Sequence, residues 1–279
     1  AVVATIDDTI YQGSASGTLE ISSANQSITF AAIADQTTTD TVTLAATASS
    51  GLPVSFSVTG PATLSGNELS FTGAGTVEVT ASQAGNADWD AASPVVRSFA
   101  VAKAVATVTL DDLNQAFDGT PKPVTVTTDP AGLTVTVTYD GSATAPSAAG
   151  SYAVVATIDD AIYQGSASGT LEISSANQSI TFVAIADQTT TDTVTLAATA
   201  SSGLPVSFSV TGPATLSGNE LSFTGAGTVE VTASQAGNTD WVAASPVLRS
   251  FAVTNAVATV TLDDLNQAFD GTPKPVSVT

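Results

Sequence analysis

The chain has no cysteine, no histidine and no methionine in 279 residues. Without cysteine there is no disulfide framework, so each domain must rely on its own apolar core. Secreted chains without disulfides are common, so this absence does not assign the protein to the cytosol. The missing methionine leads us to expect something other than an unprocessed translation product with its own start. With no histidine or cysteine, the groups that most often titrate or attack near neutral pH are lacking. Positive charge is scarce as well: Arg97, Lys103, Lys122, Arg249 and Lys274 stand against 25 acidic residues, for a net charge of −20. Such a surface repels a phosphate backbone and anionic lipid alike, which argues against nucleic acid as a partner. No apolar run approaches bilayer length, so no membrane insertion is expected. No GxSxG or phosphate-loop pattern is present.

Repetition dominates what remains. Residues 1–127 align without gaps on residues 153–279, with differences only at Thr9/Ala161, Ala31/Val183, Ala87/Thr239, Asp90/Val242, Val96/Leu248, Ala102/Thr254, Lys103/Asn255 and Thr125/Ser277. The period of 152 is too long for one solenoid turn and divides into two kinds of unit. The expected boundaries are part of a first-type unit at 1–23, a second-type unit at 24–102, a complete first-type unit at 103–175, a second-type unit at 176–254 and part of a first-type unit at 255–279. Both ends fall inside a unit, so the sequence is expected to be a window on a longer chain.

Every apolar stretch is short and alternates with period two, the pattern of half-buried strands. "PVSFSVT" sets Val54, Phe56 and Val58 on one face, and "GTVEVTAS" does the same with Val77, Val79 and Ala81. "LTVTVTY" alternates Leu133, Val135, Val137 and Tyr139 with threonines, whose branched β-carbons favour strand. Turn signals such as "SSGLP", "FDGTP", "DPAG" and "YDG" separate the runs. The predicted fold is all-β: small antiparallel β-sandwiches strung end to end. The linkers are short, little more than Ala102–Ala104 in one case and "SSAN" in the other, which predicts semi-rigid joints.

The first-type unit, in "FDGTPK", "GLTVTVTYDG", "AGSYAVVATI" and "YQGSASGTLEI", resembles the MBG repeat domains of large bacterial surface proteins. The second-type unit, in "QSITFAAIADQ", "ASSGLPVSFSVTGPATLSGNELSFTGAGTVEVTASQAGN" and "RSFAV", is similar to the bacterial Ig-like repeats that often alternate with them. The resemblance implies Ig-like sandwiches in an extracellular adhesin or fibrous stalk, acting as spacers, with no catalytic residues and no cofactor. Neighbouring repeats of the same chain, and other copies in a fibre, are the expected partners.

Five features merit weighing as sites. The paired aspartates Asp111–Asp112 and Asp159–Asp160, with Asp7–Asp8, are calcium candidates, since calcium takes six to eight oxygen ligands; the competing expectation is that they only shape turns and keep edges soluble. Trp89 and Trp241 are expected to cap the core of their own sandwich, with sugar stacking as the alternative. Arg97 and Arg249 share inward parity with their strand's apolar residues and are expected to pair with Asp88 and Asp240 or to stack on the tryptophans. Lys122 and Lys274 invite comparison with isopeptide-forming lysines, which need a buried Asn and acid; a rim position is expected instead. "NQS" at Asn25 and Asn177 is a glycosylation sequon only in a suitable host.

The expected function is a non-enzymatic spacer or stalk segment of a giant extracellular repeat protein. The rival expectations are a glycan- or surface-binding module, and a filament subunit whose terminal pieces pair with other chains by strand addition.

Overall fold

A computed structural model describes residues 1–279. All regular structure is β-strand. Contacts gather the chain into two compact units, residues 1–111, 124–144 and 153–169 in the first, and residues 112–123, 145–152 and 170–279 in the second.

The first unit contains the sandwich predicted from the "PVSFSVT" and "GTVEVTAS" alternation. One sheet orders its strands Gln36–Thr37, Val95–Ala102, Gly75–Ser82 and Ser55–Thr59. It faces Thr41–Thr43, Glu68–Phe71 and Ala62–Ser65, with Ile28–Phe30 paired to Ala46–Ala48. The register places Val77 opposite Phe99, and Val79 opposite both Arg97 and Val58. Period-two alternation therefore sends Val77, Val79 and Ala81 inward, where they join Phe30, Leu44, Leu69, Phe71, Phe99 and Val101 in one core. Phe71 meets Phe99 edge-on at 6.0 Å between ring centres, an orientation that suits the aromatic quadrupole.

The same unit holds part of the central, MBG-like region. Thr107–Asp111 pairs antiparallel with Thr125–Asp129, and Val135–Tyr139 with the Val154–Ile158 stretch of the strand Gly150–Ile158. Ala106, Val108, Ala156 and Ile158 form its core, with Leu110, Val126, Leu133, Val135, Val137 and Tyr163 packed around them. The buried Tyr139 hydroxyl accepts the Val124 N–H at 2.9 Å. A short hairpin, Val2–Thr5 with Ser14–Gly17, is exposed throughout.

In the second unit, Asn114–Ala116 runs parallel to the end of the strand Ser166–Ser174, burying Leu171 and Ile173. The second sandwich, from Ile180 to Thr254, repeats the first: Phe182, Leu196, Leu221, Val229, Val231, Ala233, Phe251 and Val253 make its core. A short pair, Leu262–Asp263 with Ser277–Val278, follows.

Candidate functional site at the sandwich joints

The first joint lies inside the first unit, between the strand Val95–Ala102 and the central region. The Ala102 carbonyl is still held by its own sandwich, accepting the Thr38 N–H at 2.9 Å. Two residues on, the Ala104 N–H is donated to the Ile162 carbonyl of the central region at 2.9 Å, and Ala104–Val105 runs parallel to Tyr163–Gln164. Backbone pairing thus passes from one sandwich to the next across a single residue, Lys103. Thr38, in the turn after Gln36–Thr37, locks the exchange. It is 4% exposed, its hydroxyl accepts the Ala104 N–H at 2.9 Å, and it donates to the Ile162 carbonyl. Lys103 Nζ reaches the Asp160 carbonyl, and its own carbonyl accepts from Gln164 Nε2 at 3.2 Å.

The second joint lies inside the second unit. The Ser174 carbonyl accepts the Phe117 N–H at 2.8 Å, whereas Ala176 pairs with Asp240 and Val242 of the following sandwich, donating to the one at 2.8 Å and accepting from the other at 2.9 Å. Again one residue, Ser175, separates the two. Here a loop docks as well. Its Trp241 meets Phe117 edge-on, 5.6 Å between ring centres at 80°, and Asp240 Oδ1 accepts the N–H of buried Ala149 at 2.8 Å.

The loop's shape comes from its own sandwich. Asn238 Oδ1 accepts the N–H groups of Asp240 and Trp241, both at 2.9 Å. Buried Gln235 accepts from Gly237 N–H and, at 2.8 Å, from Gln178 Nε2, which also donates to the Val242 carbonyl at 2.8 Å. Gly237 has φ +75°, and a β-carbon there would fall 2.2 Å from the Trp241 carbonyl oxygen, so glycine is required for the loop to close.

The structure places the sequence candidates as follows. Asp160 Oδ1 caps its own turn, accepting from Ile162 and Tyr163 at 2.7 and 2.9 Å; these N–H bonds, Tyr163 first, hold its carboxyl below the ordinary carboxylate value. Asp159 donates its N–H to Thr134, Asp111 ends the strand Thr107–Asp111 on the surface, and Asp112 takes a left-handed φ of 59°. No group of three or more acidic side chains comes together in a way that would hold a metal ion. Arg97 and Arg249 do not pair with Asp88 and Asp240 as expected. Each donates Nε and Nη2 to one backbone carbonyl, that of Phe30 or Phe182, bracing the strand that opens its sandwich. Of the two tryptophans, Trp241 packs against Phe117 across the joint. Lys122 forms an ion pair with Asp118 Oδ2 at 2.6 Å, its side chain only 13% exposed. Sequence reasoning missed Thr38 and the glutamine pair; Gln83 and Gln235 did carry a signal, being polar at the inward parity of Val77–Val79–Ala81 and its copy.

The fold is thus a tandem array of β-sandwiches whose distinctive chemistry sits at one-residue joints. Residues 1–25, 106–177 and 258–279 match the model of the MBG domain family. No curated protein matches the chain. Among solved structures, the chain is similar to Drosophila N-cadherin EC1-4 (9% identity, 77% of this chain and 69% of that one, TM-score 0.29). It is also similar to mouse cadherin-23 EC22-24 (11% identity, 83% and 99%, TM-score 0.31) and to Sidekick-1 immunoglobulin domains 1-5 (11% identity, 86% and 62%, TM-score 0.28).

Proposed function

We propose that the chain is a non-catalytic spacer segment of an extracellular repeat protein, the stalk of a large adhesin or surface fibre. The observation that carries this reading is the handover of backbone pairing across single residues, Lys103 and Ser175. A joint with one unpaired residue has few torsions to spend on bending, so such a chain transmits position along its length. The match to the MBG domain family supports the extracellular setting, and the acidic surface suits a soluble, self-repelling segment. The Ser and Thr hydroxyls on the outer faces of the strands add solubility without charge.

Backbone relaxation measurements on the isotopically labelled chain test the stiffness. The amides of Ala104 and Ala176 are expected to show order parameters near the ~0.85 of rigid backbone; values below about 0.6 would mean swivelling joints and would sink the reading. Glycan- and cell-binding assays on the same chain test the rival. Binding that is lost in Trp89→Ala would make the unit a recognition module instead.

A further inference from the structure

We propose that the Asn238–Val242 loop is a docking surface for an MBG sandwich, and that docking joins the central sandwich and the Ile180–Thr254 sandwich into one cooperative folding unit. The surface has two parts that suit one partner. The Trp241 indole takes the edge of an aromatic ring, supplied by Phe117 of the "FDGTPK" turn. Beside it the Asp240 carboxylate takes a backbone N–H, supplied by buried Ala149. Together they fit a neighbour that presents a turn-borne aromatic and an inward N–H at the same end, as the MBG sandwich does.

The loop has the same internal bonds in both copies. In the other copy, Asn86 Oδ1 accepts from Asp88 and Trp89 at 2.9 Å, Ala24 pairs with Trp89, and Gly85 is closed over the Trp89 carbonyl just as Gly237 is over that of Trp241. A loop shaped by bonds within its own sandwich spends little ordering entropy on docking, so a small contact suffices. The partner side is equally anchored. Phe117 N–H is held by the Ser174 carbonyl, and the turn that follows it is braced by the Lys122–Asp118 ion pair, with Asp118 accepting from Thr120 as well. Unfolding the central sandwich removes the ring from Trp241 and the N–H from Asp240 together. The neighbour's loop then loses both partners in one step, which is the condition for coupled stability.

The test uses the full chain in a Trp89→Phe background, leaving Trp241 as its one tryptophan. Phe117→Ala is expected to red-shift Trp241 emission and raise its quenching by acrylamide; Phe117→Leu, which keeps bulk in the turn should the alanine variant fail to fold, is expected to shift it less in the same direction. Leu171→Ala, which truncates a fully buried side chain of the strand Ser166–Ser174, is expected to speed amide exchange in the strand Gly227–Ser234 of the neighbouring sandwich. In the Phe117→Leu background, that effect of Leu171→Ala is expected to shrink. Unchanged Trp241 emission and quenching in a folded Phe117 variant would overturn the docking surface. Unchanged exchange in Gly227–Ser234 upon Leu171→Ala would overturn the cooperativity.

Discussion

Leu171→Ala and Val105→Ala both truncate an apolar strand residue, yet the structure predicts opposite outcomes. Leu171 is 0% exposed in the strand Ser166–Ser174, whereas Val105, in the strand Ala104–Val105, is 82% exposed. Truncating a fully buried leucine removes the transfer energy of the lost methyl groups and leaves a cavity, about 3 kcal/mol or more in total. A sandwich of this size has a stability of roughly 4–10 kcal/mol, at about 0.05–0.15 kcal/mol per residue, so the loss is a large fraction of the whole. With a urea m-value of about 1–1.5 kcal/mol/M for a small domain, the unfolding midpoint of the central sandwich falls by about 2–3 M. Val105→Ala removes a side chain that is largely hydrated already, and the stability stays within about 0.5 kcal/mol of the parent. Urea titrations followed by amide exchange assign each transition to its sandwich. A cost below about 1 kcal/mol for Leu171→Ala, or an equal cost for Val105→Ala, would refute this.

The joints, the arginine brace and the acidic turns make further predictions. Thr38→Val keeps the shape of a buried side chain but loses its hydroxyl contacts to Ala104 and Ile162; it is expected to cost about 1 kcal/mol and to raise amide exchange at Ala104, and normal exchange there would refute the lock. Arg97→Ala leaves the Phe30 carbonyl without its paired guanidinium donors and is expected to lower the stability of the first sandwich by about 1.5–3 kcal/mol, with Arg97→Lys recovering part of that; a silent alanine variant would count against the brace. Asp118 is held below its ordinary carboxylate value of 3.8 by Lys122 first and Thr120 second, so its contribution is complete above that pH and is lost as pH falls below it. Acid titration of stability below pH ~4 should accordingly be shallower in Asp118→Asn, and identical profiles would exclude the pair. Calcium is expected to leave the thermal midpoint unmoved, since Asp160 spends its carboxylate on its own turn; a rise that grows with calcium concentration would reveal a site.

The strands were legible because alternation is a local signal. Val77, Val79 and Ala81 were assigned to one face from "GTVEVTAS" alone, and all three are 0% exposed. Short linkers were legible for the same reason, since units that abut in sequence leave no residues for a loop. Partners were not legible where they depend on how distant segments meet. Trp241 finds Phe117 in a different sandwich, and nothing near "NTDWVAASP" names that partner. Arg97 has no acidic partner because its inward parity carries it to the Phe30 carbonyl, and a backbone acceptor leaves no trace in composition. The aspartate pairs looked like ligands because a carboxylate that caps a turn and one that binds a cation have the same spelling. Only the direction of Asp160 Oδ1, onto its own Ile162 and Tyr163 N–H groups, points to the turn-capping role.

The alternation of unlike sandwiches has a consequence for folding. Residues 25–102 and 177–254 differ at only a few positions, and near-identical neighbours are prone to exchange strands during folding because each strand fits either partner. In this chain the central sandwich stands between them in sequence, so a strand of one must bypass an intervening domain to enter the other. The similar sandwiches are thereby kept apart along the chain. One-residue joints strengthen the effect, because swapping needs slack between domains, and Lys103 and Ser175 provide almost none.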